Sequence, residues 1–183
     1  GNNPFLYSDP EDFNIVFNSL LSTYWNRYCC IRLHVILILN FLNSLVKKMN
    51  NIKYDFYGFE NKQPIWGNDF YKSLINSKMG LNLSRGLPTK YYSSNRIASI
   101  IGNGLLTFIN IKTQFNDFFR NDEVIFYKNI DDLASKIKFY SKNDKLRKKI
   151  AEQGKRKYFK LFSEKKISKY IIDVSLGNKS NLF

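Results

Sequence analysis

Two cysteines, four prolines and one histidine are spread over 183 residues, and each scarcity removes a class of protein. Cys29 and Cys30 are adjacent, and sequence neighbours rarely bridge, so no disulfide framework is expected and a reducing, cytoplasmic setting fits. His34 stands alone in an apolar stretch with no cysteine or carboxylate cluster beside it, which argues against a zinc centre and for a structural role. Long hydrophobic runs are missing too. The most apolar region, residues 28 to 46, is broken by Arg32, His34, Asn40 and Asn43, whereas a spanning helix needs about 20 nearly uninterrupted apolar residues. There is no G-x-S-x-G elbow and no G-x-x-x-x-G-K-[ST] loop. The chain opens on Gly1 rather than Met, without a basic and then apolar leader, as expected of a fragment whose beginning is missing.

Acidic residues are also scarce. Against 29 Lys and Arg there are 15 Asp and Glu, a net charge of +14, which favours a phosphate-bearing ligand, nucleic acid or an anionic membrane surface. Charge alone does not choose among them, because lysine and asparagine are abundant along the whole chain. What is plentiful is core material: 44% of residues are hydrophobic and 16% aromatic, enough to exclude disorder and to build one globular domain of α/β or α+β type.

Hydrophobic spacing divides the chain into alternating elements. Residues 1–12 read as an irregular lead-in, 13–176 as a single Rossmann-like domain and 177–183 as a tail. Strands are expected over 13–17, 54–57, 79–83, 105–109 and 124–127, and a helix over 28–49, where Ile31, Val35, Ile38, Leu42 and Leu45 recur at helical spacing. Further helices follow: one capped by Asn68, one starting near Ser93 to Asn95, a short one near Phe115 to Phe119, and one capped by Asn129 with Asp131 and Asp132 in its first turn. From Asp144 the chain reads as helical and strongly basic nearly to Gly177, a natural stop. Strands alternating with helices imply a parallel sheet with helices on both faces and ligands beyond the carboxyl ends of the strands. That rule selects the loops after Phe17, Tyr57 and Leu83.

Within those loops the stretch Lys90-Tyr-Tyr-Ser-Ser-Asn-Arg96 carries the most chemistry. It sets Ser93, Ser94 and Asn95 at a helix start, where unpaired N–H groups and the dipole favour an anion, although the same serines also serve as ordinary caps. Arg27 and Arg85 fall in loops where a guanidinium fork can pair with a diphosphate. Gly102-Asn-Gly104 lies between a helix and a strand, the reverse of the dinucleotide fingerprint, and is a helix stop.

Three segments together resemble a known family: Met79 to Gly86, Lys90 to Ile97 and Gly102 to Ile109, followed by Asp131-Asp-Leu133 and its helix. They are similar to the carboxyl-terminal half of a GT-B glycosyltransferase of the "glycosyl transferases group 1" kind. The resemblance implies a donor-binding, Rossmann-like domain that holds a nucleoside-diphosphate sugar and transfers the sugar to an acceptor, whether glycan, lipid or protein. It further implies a partner amino-terminal domain that this chain lacks and that would supply the general base. Lys90, Ser93, Ser94, Asn95, Arg96 and Arg27 would cradle the diphosphate, Arg85 would touch sugar or phosphate, and Tyr57, Gly58 and Glu60 would lie near ribose or base. No metal and no cofactor beyond the donor is called for. Many members carry a glutamate in the helix before the glycine turn, where it bonds the ribose; here that position is Ser99. The alternative is a non-catalytic basic α/β module that engages nucleic acid or an anionic membrane through residues 142 to 169, with nucleic acid the less favoured because its aromatic residues serve packing equally well. Peripheral contact with a membrane is compatible with either reading.

Overall fold

The computed structural model describes residues 15–18, 29–49, 52–57, 62–84, 87–92 and 95–180, with the backbone alone for 15–18 and 29–37. Five strands form one parallel sheet: β1 (Ile15–Asn18), β2 (Asp55–Tyr57), β3 (Met79–Asn82), β4 (Leu106–Asn110) and β5 (Ile125–Tyr127), in the order β2-β1-β3-β4-β5. Register places Val16 beside Asp55 on one side and beside Gly80 on the other, and Asn82 beside Ile109. The helices are α1 (Cys29–Lys48), α2 (Gly67–Ile75), α3 (Asn95–Gly102), α4 (Ile130–Lys142), α5 (Asp144–Phe162) and α6 (Glu164–Ser175).

Strand order decides where the helices go. From β1 the chain steps outward to β2, then reverses and crosses back to β3 and β4; because parallel crossovers are right-handed, a reversal of direction puts the next helices on the opposite face. The packing agrees. One cluster joins Leu42 and Leu45 of α1 and Leu133 and Ile137 of α4 to Phe56, Met79, Leu81, Phe108, Ile125 and Tyr127 of the sheet. Across the sheet, Leu74 of α2 packs with Ile100 and Leu105, and Ile97 and Ile101 of α3 with Ile109, Phe119 and Phe126. Alternation along each strand produces the division, since Met79 and Leu81 turn one way while Gly80 and Asn82 turn the other.

An eight-residue helix such as α3 is marginal by itself, but burying each of Ile97, Ile100 and Ile101 contributes about 1.5–3 kcal/mol. Gly80 permits that close docking: a Cβ there would sit 2.9 Å from Ile100 Cγ1, nearer than real contacts allow. The helix ends as the glycines promise. Gly104, at φ +76°, donates to the Ile101 carbonyl and Leu105 to that of Ile100, a closure sealed by the packing of Leu105 on Ile100.

Two local expectations need correction. Asn68 does not cap α2: Trp66 is the last extended residue, and Gly67 at φ +55° turns the chain into the helix, leaving Asn68 inside its first turn. The helix near Phe115 to Phe119 is two 3-10 turns, Ile111–Thr113 and Phe115–Asp117, separated by Gln114 in the left-handed region. The basic carboxyl-terminal stretch, expected as helices, is α5 and α6, divided at Ser163, which is extended at ψ 146°. Asn129, by contrast, caps α4 as expected, its side chain accepting from the Asp132 N–H at 2.9 Å. Among the described residues no helix is long and apolar enough to cross a membrane.

Candidate functional site

A parallel sheet leaves a crevice where the chain reverses direction, because the loops on either side of that point turn to opposite faces. Here the reversal lies between β1 and β3, at their carboxyl ends. The loop after β3 and the start of α3 therefore border the crevice. The loop after β1, which carries Arg27, lies outside the described residues, as do Arg85, Ser93, Ser94, Gly58 and Glu60.

The described part of this edge is firmly held. Arg96, in the first turn of α3, donates from Nη1 to the Leu83 carbonyl at 2.7 Å, tying the helix start to the end of β3. Tyr91 adopts a left-handed φ of 56°, a strained position for a side chain of its size. Three contacts with the loop after β4 maintain it: the Tyr91 N–H donates to the Thr113 carbonyl at 2.8 Å, its hydroxyl donates to Asp117 Oδ2 at 2.5 Å, and its ring lies 5.1 Å from that of Phe118. The hydrogen bond to Asp117 raises the phenol pKa. Over the same ring stands the Lys90 ammonium, 4.8 Å from the centroid. Asn95 and Arg96 thus stand at the amino terminus of α3, while Lys90 is held over Tyr91, against the loop after β4.

Tyr57 ends β2, two strands from β3, and packs against the Leu74, Ile100 and Leu105 cluster with the Lys62 ammonium 5.9 Å from its ring centroid. Lys62 also pairs with Asp55. Ser99 lies one turn into α3, where its hydroxyl donates back to the Asn95 carbonyl at 3.2 Å. With its proton so used, Ser99 offers a ligand only the lone pairs of its oxygen.

Sequence reasoning missed Asn82. This last residue of β3 is 5% exposed, and its Oδ1 has no hydrogen-bond partner among the described residues. An unpaired buried acceptor costs about 1–3 kcal/mol, so its position at the crevice is informative. The signal in the sequence was an asparagine inside an otherwise apolar strand, Met79 to Leu83.

Other polar clusters are structural. Arg147, only 6% exposed, donates to the Lys78 carbonyl at 3.0 Å and pairs with Asp144, fastening α5 below the amino end of β3. Burial would raise the Asp144 carboxyl, but hydrogen bonds from Arg147 and Lys148 prevail and lower it to about 2. A surface groove of about 340 Å³ between α4 and α5, lined by Tyr140, Leu146, Lys149 and Gln153, also touches Asn121 and Asp122. Those residues precede β5, so the groove opens toward the amino ends of the strands, away from the crevice. Among the described residues no group of three or more His, Cys, Asp or Glu could hold a metal ion.

A family model described as glycosyl transferase-like matches residues 38–173. The chain belongs to this glycosyl transferase-like family. The match spans everything from mid-α1 to α6, including the β3–α3 edge. Two solved structures share the fold of this glycosyl transferase-like chain. TarM superposes with a TM-score of 0.62 at 16% identity, covering 95% of this chain and 36% of TarM. An alpha1,3-fucosyltransferase gives 0.55 at 14% identity, covering 80% of this chain and 39% of that enzyme. The α/β fold therefore matches part of GT-B transferases, and the chain spans little more than a third of either of them. No curated protein matches it.

Proposed function

We propose that this domain is the donor-binding part of a glycosyltransferase that takes its sugar from a nucleoside-diphosphate sugar. The observation that supports the reading is the α3 amino terminus next to the carboxyl end of β3, at the β1/β3 reversal, with Arg96 in its first turn tied to Leu83; Lys90, held over Tyr91 in the segment leading into α3, adds a second cation to the proposal. An anion is favoured there by the helix dipole and by two cations. When the bond between sugar and diphosphate breaks, negative charge grows on the phosphate, and donors already fixed in place stabilise it without reorganising. Arg96 is fixed by Leu83, and Lys90 is held over Tyr91. In this proposal the cations, rather than a metal, neutralise the leaving group. The amino-terminal domain expected from the resemblance would bind the acceptor and supply its base.

Titration calorimetry of the chain with the common nucleoside diphosphates tests the proposal. Binding of at least one with preference for its base supports it; no binding to any by a folded sample overturns it. The surplus of lysine on α5 and α6 favours the second reading, a basic module for polyanions. Lys145, Lys149, Lys155, Lys157 and Lys160 have no ion-pair partner among the described residues. That reading predicts binding to unrelated polyanions that falls steeply with salt.

A further inference from the structure

We infer that Asn82 is a ligand-contacting residue whose Oδ1 accepts a hydrogen bond from a hydroxyl of the bound sugar nucleotide, an inference that rests on the function proposed above. Asn82 follows Gly80 on the sheet face that α3 covers, two residues nearer the carboxyl edge. Gly80 touches Ile100 in mid-helix, so Asn82 lies beneath the first turn of α3, where Arg96 reaches the Leu83 carbonyl. It sits beside Ile109 of β4 in the sheet interior, is 5% exposed, and still leaves Oδ1 without a partner among the described residues.

The chemistry of that atom narrows what it meets. As oriented, the Asn82 carbonyl oxygen only accepts, so a hydroxyl rather than an ionised phosphate satisfies it; a phosphate would be met only with the amide turned over to present Nδ2–H2, the case that pyrophosphate reads in the test below. A hydroxyl suits it. Two parts of a sugar nucleotide carry hydroxyls, the ribose and the transferred sugar. The resemblance places a carboxylate acceptor for ribose at position 99, and here Ser99 has spent its proton on Asn95, leaving a weaker acceptor. Asn82 offers a second acceptor on the neighbouring strand. Its place deep beneath the helix start makes it a selector for hydroxylated ligands over bare diphosphate.

The test compares the wild-type chain with Asn82→Leu, similar in size but unable to accept, against inorganic pyrophosphate, the preferred nucleoside diphosphate, its 2′- and 3′-deoxy forms, and nucleoside-diphosphate sugars. Loss of the acceptor should weaken the nucleoside diphosphate about five- to tenfold and leave pyrophosphate unchanged if the hydroxyl is ribosyl. A matching loss should then appear when wild type meets one of the deoxy forms, and vanish for Asn82→Leu. If the hydroxyl belongs to the transferred sugar, only the sugar nucleotide weakens. Equal weakening of every ligand, pyrophosphate included, or no weakening of any, overturns the inference while leaving the proposed function standing. Failure of wild type to bind any nucleotide overturns both. Should Asn82→Leu not fold by circular dichroism, Asn82→Ser, whose shorter side chain cannot reach the same point, is read by the same criteria.

Discussion

Gly154→Ala gives the sharpest test of how α5 packs over the turn before β5. Judged as a residue in the middle of α5, glycine to alanine should stabilise the helix by about 1 kcal/mol. The structure reverses the sign. A Cβ on Gly154 would overlap the carbonyl oxygen of Glu123 and lie 3.2 Å from its carbonyl carbon. That carbonyl belongs to the turn before β5, closed by the Glu123 and Val124 N–H groups on the Arg120 carbonyl, so backbone rather than a rotatable side chain must give way. Overpacking of this kind costs about 1–3 kcal/mol, and a rigid obstacle belongs at the upper end. The net expectation is a loss of about 1–2 kcal/mol, lowering the melting temperature by about 2–8 °C for a chain of this size. Gly102→Ala is the control. In α3 its Cβ would meet only Phe159 Cζ at 3.9 Å, an ordinary contact, so this variant should be neutral or gain up to about 1 kcal/mol. Urea denaturation followed by circular dichroism measures both. If Gly154→Ala equals or exceeds wild type in stability, the close passage of α5 over the Glu123 turn is wrong.

Arg147→Ala should destabilise by about 2–3 kcal/mol in the same assay, since it removes a charge-assisted bond to the Lys78 carbonyl together with a buried stem. Asp144 links stability to pH: its folded pKa of about 2 lies below the ordinary 3.8, so its contribution is complete above 3.8 and disappears as pH falls through about 2. Wild type should therefore exceed Asp144→Asn in stability at pH 5, and the two should converge near pH 2 in thermal melts. Ser99→Ala should change nucleoside diphosphate affinity by less than about threefold, because the hydroxyl donates within the helix and only its weaker acceptor capacity is lost; titration calorimetry reads this directly.

Much of the fold was legible because hydrophobic period and breakers agree. Val124 to Tyr127, the Asn129 cap and the Gly102 to Gly104 stop each announce an element by local chemistry alone, and the structure shows each of them. Where local signals competed, tertiary geometry decided. Asn68 has the chemistry of a cap, but Gly67 provides the turn one residue earlier. Between the basic helices the break falls at an extended Ser163, a position that the apolar spacing alone did not mark. The strand order was beyond reach, since periodicity does not say which strands are neighbours, and with it went the choice of the β1/β3 edge over the end of β2. That a helix starts at Asn95, with Arg96 in its first turn, was legible from the sequence; that Lys90, Asn95 and Arg96 hold a phosphate remains the proposal made above. Asn82 was not legible, because an asparagine in a strand becomes meaningful only once its burial and missing partner are seen.

The most direct measurement is calorimetric titration of one nucleoside diphosphate into wild type, Lys90→Ala, Arg96→Ala and Lys149→Ala. Arg96 is tied to the end of β3 and Lys90 stands over Tyr91 in the segment before α3, whereas Lys149 lines the groove at the other end of the sheet. Losses of about tenfold are expected for Lys90→Ala and Arg96→Ala and of less than about twofold for Lys149→Ala. Equal losses in all three would mean that the basic surface as a whole, and not the β3–α3 edge, holds the phosphate.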